Sequence, residues 1–482
     1  MRLKDFIAIL VAVLLMTVFL DCCSAQDDGL MRIKPDPDYP GYWSYLGEPV
    51  MLLGGSDDDN LFQLPELETQ LDLLASVGGN YIRNTMSARL DKGHEVQPFL
   101  KLEDGTYDMD QWNPEYWTRF ENLVHWCEER EIIIQIEVWD RFDYTDNKEV
   151  KHWQASAYNP GLNVNYSYEE SGFAREYPDH PTQDRQPFFH TIPGTRNYQE
   201  KYDVIRHYQE AYVDKILSHS LHHGNVLYCM DNETSTPRAW GLYWMSYIRR
   251  RAEEEGVDVY VTDMFDQAFT PWNCPDLLAS IDAPDEYDFL DVSQNNSRNF
   301  NEDHWDVLQW IRNRAKDQPT RPLNNTKIYG SGYFSFGTGG PLDGVERFFR
   351  NTIGGCASVR FHRPPAGNGL GEMGQASIQA ARTLTDLVPP WEVEPRNDLL
   401  GDREPDEAYL AAKPGELYAL YFPVGGSVQL DLSDVEGTFD VQWIDVSTGA
   451  ACPRTTLEAG ELVELSPPGE EGFVAAITLK GP

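Results

Sequence analysis

Asn232 and Glu233 close a five-residue apolar run, Val226 to Met230, with Asp231 between run and pair. A carboxyl at the end of an apolar strand is placed for proton transfer. Burial disfavours its ionised form, so its pKa is expected to rise toward that of a working general acid. The neighbouring amide offers a hydroxyl both a donor and an acceptor. The same layout recurs along the chain. Strand-like runs lead into Ser56-Asp57-Asp58-Asp59-Asn60, Arg83-Asn84, Glu137-Val138-Trp139-Asp140, Asp263-Met264, Gln294-Asn295-Asn296 and His362-Arg363. Acids, amides, guanidiniums and a tryptophan suit a ligand rich in hydroxyls, its polar edge on the acids and amides and its apolar face on the ring. Each group also has a structural reading. Asp231 and Glu233 serve equally as partners of strand-end arginines, His362 and Arg363 as ion pairs closing the last strand on the first, and Trp139 as core. Asp57-Asp58-Asp59 reads as a solvated turn, because a hard-cation loop needs a longer ligand pattern, and no metal site is expected.

Eight strand–helix units must position these residues. The strand candidates are Val50–Gly54, Asn80–Met86, Ile132–Trp139, Val226–Asp231, Val257–Asp263, Asp288–Gln294, Thr326–Gly330 and Cys356–His362. Helix-period stretches follow each, among them Leu67–Val77, with leucines on one face, and Pro114–Arg130, with proline in its first turn. Eight such units in about 340 residues predict a (β/α)₈ TIM barrel, an α/β fold whose site lies on the loops after the strands. No Gly-x-Gly-x-x-Gly or Walker-type Gly-Lys-Ser/Thr occurs, so nucleotide binding is not expected. About 60 residues, roughly 141–199, are inserted after the third strand, and 11 aromatics fall between Phe142 and Tyr198. That content predicts a packed lid over the cleft. From about Asp406 the texture changes to short alternating strands such as Ser427–Leu432 and Thr438–Gly449, a small all-β sandwich of about 80 residues.

The full division is an export signal over 1–25, the barrel over 26–395 and the β-sandwich over 396–482. Arg2 and Lys4, the apolar run Phe6 to Leu20 and the small residues around Cys23-Ser24-Ala25 form the signal. Fifteen residues are too few to cross a bilayer. A secreted or periplasmic protein is expected. The alternative is an outer-surface lipoprotein with a lipid anchor at Cys22 or Cys23. Five further cysteines, odd in number and widely spaced, form neither a disulfide framework nor a zinc motif. With 78 acidic against 39 basic residues the net charge is −39, which excludes nucleic acid as a partner.

Asn232-Glu233 after its apolar strand resembles the Asn-Glu pair that ends strand four in clan-A glycoside hydrolases, the cellulase-like barrels. In that family the Glu is the general acid/base, and the Asn holds a sugar hydroxyl. Arg83, in Asn80-Tyr81-Ile82-Arg83, matches the arginine those enzymes keep beneath their carboxylates. The run Tyr421-Phe422-Pro423-x-Gly425-Gly426-x-Val428-x-Leu430-Asp431-Leu432, with Trp443-Ile444-Asp445 and Thr448-Gly449, is similar to the β-domain of apiosidase-like bacterial barrels. That domain is often labelled collagen-binding, a label not transferred here as a function; its expected role is to buttress the barrel. The resemblance implies a glycoside hydrolase acting on an oligo- or polysaccharide without a cofactor. Glu233 is the expected general acid/base. Asp59, Arg83, Trp139, Asp140, Asn232, Asn295, His362 and Arg363 are the expected substrate contacts.

The chain departs from that family at strand seven, where retaining enzymes carry their nucleophilic Glu. Here the strand reads Lys327-Ile328-Tyr329-Gly330-Ser331, and no acidic residue occurs before Asp343. A retaining mechanism needs carboxyls about 5–5.5 Å apart, and an inverting one about 6.5–9.5 Å. The partner of Glu233 is therefore sought elsewhere. Asp263, ending the adjacent fifth strand, is the first choice; Asp140, Asp59 and Glu372 are the others. The same departure leaves open a catalytically inactive barrel that binds glycans.

Overall fold

The computed structural model describes residues 32–481, apart from 91, 147–150, 179–185, 234–235, 267–273, 298, 330–339, 341 and 364–368. The export segment, with Cys22 and Cys23, lies outside the described residues.

Eight parallel strands form the centre: β1 Leu52–Gly55, β2 Tyr81–Thr85, β3 Ile133–Asp140, β4 Val226–Asn232, β5 Val261–Thr262, β6 Leu290–Asp291, β7 Leu323–Ile328 and β8 Ser358–Phe361. Their order, β5-β4-β3-β2-β1-β8-β7-β6, is that of a barrel opened at one seam. The seam between β5 and β6 is bridged by the Asp288 amide on the Val261 carbonyl, at 3.0 Å, and by the Thr262 hydroxyl on the Phe289 carbonyl, at 2.6 Å. Helices α1 Leu67–Ser76, α2 Pro114–Glu129, α3 Asp203–Ser220, α4 Arg238–Glu255, α5 Pro275–Ile281, α6 Asn301–Ala315, α7 Asp343–Ile353 and α8 Glu372–Leu387 follow the strands in turn. The fold is the expected TIM barrel.

Local chemistry sets the boundaries. The Asn113 side chain caps α2 by accepting from the Glu115 amide, with Pro114 in the first turn. α4 stops at Gly256, whose φ of 72° suits a residue without Cβ. β6 is shorter than expected because the Asp291 carboxylate accepts the Ser293 amide at 2.9 Å and turns the chain into a 3₁₀ segment, Ser293–Ser297. β7 starts three residues earlier than expected. Its Asn324, Asn325 and Thr326 are polar but buried, and interior hydrogen bonds replace apolar contacts. Asn324 takes the Trp43 indole N–H at 2.9 Å, and Trp43 packs on Phe289 and Tyr260. A small sheet of Lys34–Pro35, Trp43–Tyr45 and Glu48–Val50 thereby plugs the end of the barrel remote from the strand-end loops.

The aromatic insertion is packed. Trp153 meets Phe173 at 4.7 Å, while Phe188 and Phe189 lie against Trp240 of α4. Beyond α8 two antiparallel sheets, of six and three strands, form the expected sandwich. Between them lie alternate residues such as Leu420, Phe422, Val428 and Leu430. The outer face of the larger sheet packs on the barrel, with Phe349 of α7 stacked on Tyr421 at 5.1 Å and Arg350 paired to Asp406 at 2.9 Å.

Candidate functional site

Arg83, at the inner end of β2, is fully buried and organises the mouth. Its Nε donates to Glu137 on β3, Nη1 to Asp59 after β1 at 2.7 Å, and Nη2 to the Asn232 side-chain oxygen on β4 at 2.7 Å. One planar fork thus ties three neighbouring strand ends together, a geometry lysine cannot reproduce. Asp59 also meets Arg89 at 3.1 Å, Arg363 at 2.9 Å and the His362 ring at 3.6 Å. Burial opposes its charge, but those three guanidiniums hold its carboxyl well below the ordinary range. Asp140 brackets β3 to β4. It accepts Arg89, the Asn232 amide at 3.2 Å and the Phe142 amide at 3.1 Å.

Glu233 follows β4 with φ of 63°, a left-handed conformation that a non-glycine residue adopts at a cost of about 1 kcal/mol or more. Its side chain is 15% exposed and sits between two cations. Lys327 Nζ of β7 lies 2.6 Å from Oε1, and Arg141 Nη2 lies 3.1 Å from Oε2. The same lysine reaches the Asn232 oxygen at 2.6 Å. The expected rise in pKa is not found. Burial pushes the carboxyl up, but Lys327 and Arg141 together outweigh it and hold the group at about 2. Glu233 is therefore an ionised carboxylate in the ligand-free site, poorly suited to donating a proton.

The fifth strand supplies a second carboxyl at a different residue from the one expected. Asp263 is buried; its Oδ1 accepts the Met264 amide, and its Oδ2 fits against the Cα of Gly241 in α4, where a Cβ would lie 2.4 Å away. The side chain thus points toward the helix layer. Asp266, three residues on, turns to the mouth and pairs with Arg141 Nη1 at 2.7 Å. Because Glu233 holds the other nitrogen of that fork, the two nearest carboxylate oxygens stand at most about 8 Å apart. Glu372 is exposed at the start of α8.

Asp231 lies behind Glu233, fully buried. Its Oδ1 accepts the Arg141 amide at 3.1 Å, and its Oδ2 has no hydrogen-bond partner among the described residues. Burial, then the nearby Asp263 and Asp140, push its pKa far up and favour its neutral form.

The structure brings Asp59, Arg83, Asp140, Asn232, Glu233, His362 and Arg363 into one cluster, and leaves two expected contacts outside it. Trp139 is fully buried among Phe188, Tyr212, Trp240 and Trp244 and presents no free face for stacking. Asn295 donates its side-chain N–H to the His304 carbonyl and accepts the Asn299 side-chain N–H on its oxygen, fixing the start of α6. Sequence reasoning named Glu137 at a strand end without choosing it as a contact, and passed over Lys327, Arg141 and Asp266. Glu137 stood on the third strand end as an available signal; the others carried none in the local pattern. Among the described residues no group of three or more His, Cys, Asp or Glu side chains is placed to hold a metal ion.

No family model matches the chain, and no curated protein sequence is similar to it. Solved structures are. A protein described as a glycoside hydrolase superposes with a TM-score of 0.60 at 12% identity, over 94% of this chain and 98% of its own. A glycoside hydrolase family 5 protein from Bacteroides vulgatus ATCC 8482 gives 0.60 at 11% identity, over 94% of both chains. An alpha-amylase from Geobacillus thermoleovorans, complexed with acarbose, gives 0.52 at 10% identity, over 90% of this chain and 98% of its own. The barrel with its appended β-domain is thus a fold this chain shares with glycoside hydrolase structures.

Proposed function

We propose that the protein is an exported glycoside hydrolase that cleaves an oligo- or polysaccharide at the mouth of the barrel, with Glu233 and Asp266 as its carboxyl pair. The observation that carries this reading is the conformation and placement of Glu233, a strained, partly exposed carboxylate at the end of β4 with a second carboxylate at most about 8 Å away. Held ionised, Glu233 is the member that accepts a proton from water or attacks the anomeric carbon. Asp266, whose side chain is 36% exposed, is the member whose environment a docked sugar changes most. As the more exposed member of the pair, it is assigned the role of proton donor to the leaving oxygen. Asn232, Arg83, Asp59 and His362 then hold ring hydroxyls and keep the pair in place.

A second reading is a barrel that binds glycans without cleaving them. The clamp of Lys327 and Arg141 on Glu233 favours it, as does the absence of an acidic residue between Lys327 and Asp343. A screen of the purified protein against plant and algal polysaccharides separates the two. Release of reducing ends that is lost in Glu233→Gln supports hydrolysis. Retention of a polysaccharide with no release supports binding alone.

A further inference from the structure

We infer that the flank of the mouth formed by β8 and β1 takes an anionic group carried on the sugar, a carboxylate or a sulfate ester, and that Arg363 is the residue that touches it. This rests on the reading of the mouth as a glycan site and adds which glycans it selects.

The argument is one of charge balance. Across the chain acids outnumber bases by 78 to 39, but around Asp59 three guanidiniums share one carboxylate. Asp59 is the carboxylate on which Arg83, Arg89 and Arg363 all converge. Arg83 and Arg89 have second acids in Glu137 and Asp140. Among the described residues Asp59 is the one carboxylate paired with Arg363, whose side chain is 30% exposed. Beneath lies Arg360, fully buried and without a carboxylate among the described residues. Its Nη1 donates to the Thr326 carbonyl at 2.7 Å, its Nη2 donates to the Ser56 hydroxyl, and its Nε has no hydrogen-bond partner among the described residues. Burial and the neighbouring Arg83 draw its pKa down to about 10, as expected of a cation short of counter-charge. Lys92, 35% exposed, pairs with Asp58, so that acid is already engaged. Asp57, whose oxygens take the Leu370 amide and the Gln70 side chain, lies on the Lys92 side with Glu95.

A neutral sugar gives no return for burying so much positive charge, because one carboxylate or amide meets a hydroxyl as well. An oxyanion does, since a guanidinium fork matches the paired oxygens of a carboxylate or sulfate. The overall charge of −39 acts against a polyanion only at long range, where salt screens it beyond about 8 Å. The flank acts at contact.

Matched polymer pairs test this: polygalacturonate against its carboxyl-reduced form, and carrageenan against its desulfated form, each titrated with native protein, Arg363→Ala and Arg363→Lys. Native protein is expected to bind the charged member of at least one pair about tenfold more tightly. The arm in which this occurs tells carboxylate from sulfate. Arg363→Ala should bring the ratio close to one, and Arg363→Lys should keep part of it, with melting temperatures confirming that both variants fold. If a variant is destabilised, salt decides instead, since the native ratio must fall as ionic strength rises. Equal affinity for charged and neutral members, or full discrimination in folded Arg363→Ala, overturns the inference. Discrimination without bond cleavage would remove the hydrolase reading and leave this one standing. Cleavage of a neutral glycan with no preference for anions would do the reverse.

Discussion

Asp231 and Glu233 stand two residues apart at the end of one strand and occupy opposite electrostatic states. Both are withdrawn from water. On the mouth side, Lys327 and Arg141 surround Glu233 and keep it charged at about 2. On the inner side, Asp231 meets Asp263 and Asp140, more acids, and its neutral form is favoured. Burial pushes both groups the same way, so the counter-charges decide. A strand end in a barrel can therefore hold an ionised and a protonated carboxyl side by side, the arrangement acid–base chemistry needs.

The comparison can be broken at its hub first. Arg83→Leu leaves Glu137 and Asp59 buried without their shared cation, and equilibrium unfolding should show a loss of about 3–5 kcal/mol. Acid titration is the next largest test. The Glu233 carboxyl has an ordinary value of 4.5 and stands at about 2 in the folded chain. Its stabilisation, about 3 kcal/mol, is complete above pH 4.5 and is lost as pH falls toward 2. Asp291 is raised to about 6 by burial and acts in the opposite sense, its contribution declining as pH climbs from 3.8 through 6. Stability measured against pH should thus decline on both sides, between 4.5 and 2 as Glu233 takes up a proton and from 3.8 through 6 as Asp291 gives one up. Removing one cation sharpens the contrast further. In Lys327→Met the Glu233 carboxyl, followed by isotope-edited infrared or carbon NMR, should titrate at higher pH than in the native protein, while Asp231 hardly moves. The smallest effect is expected from Asp231→Asn. An amide mimics the neutral carboxyl, so the melting temperature at pH 8 should be unchanged or higher; a clear fall would show that Asp231 is charged.

Much of this was legible in the sequence, and what was not has physical causes. Apolar runs located all eight strands, because a barrel strand buried on both faces reads as a hydrophobic stretch. Strand ends then pointed to Arg83, Asn232 and Glu233. β7 was the weak case: its buried residues include Asn324, Asn325, Thr326 and Lys327, so the apolar pattern starts late and Lys327 went unremarked as the partner of Glu233. Asp263, the first choice, has its side chain turned to the helix layer. The space that accepts its side chain is made by Gly241, 22 residues upstream in α4, and no local pattern reports it. Trp139 looked like a platform because aromatics suit sugars, but the tryptophans of α4 enclose it. The pKa of Glu233 was misjudged for a similar reason. Its value depends on Lys327, 94 residues away, and on Arg141, 92 residues away.

The most direct measurement is turnover by matched variants on a polysaccharide that the native protein cleaves. Glu233→Gln, which keeps the shape of the side chain and removes its charge, should lower kcat by about 10³-fold or more, and Asp266→Asn by about 10²-fold or more, with both variants folded. Undiminished cleavage by Glu233→Gln would contradict the assignment of that carboxylate to the reaction.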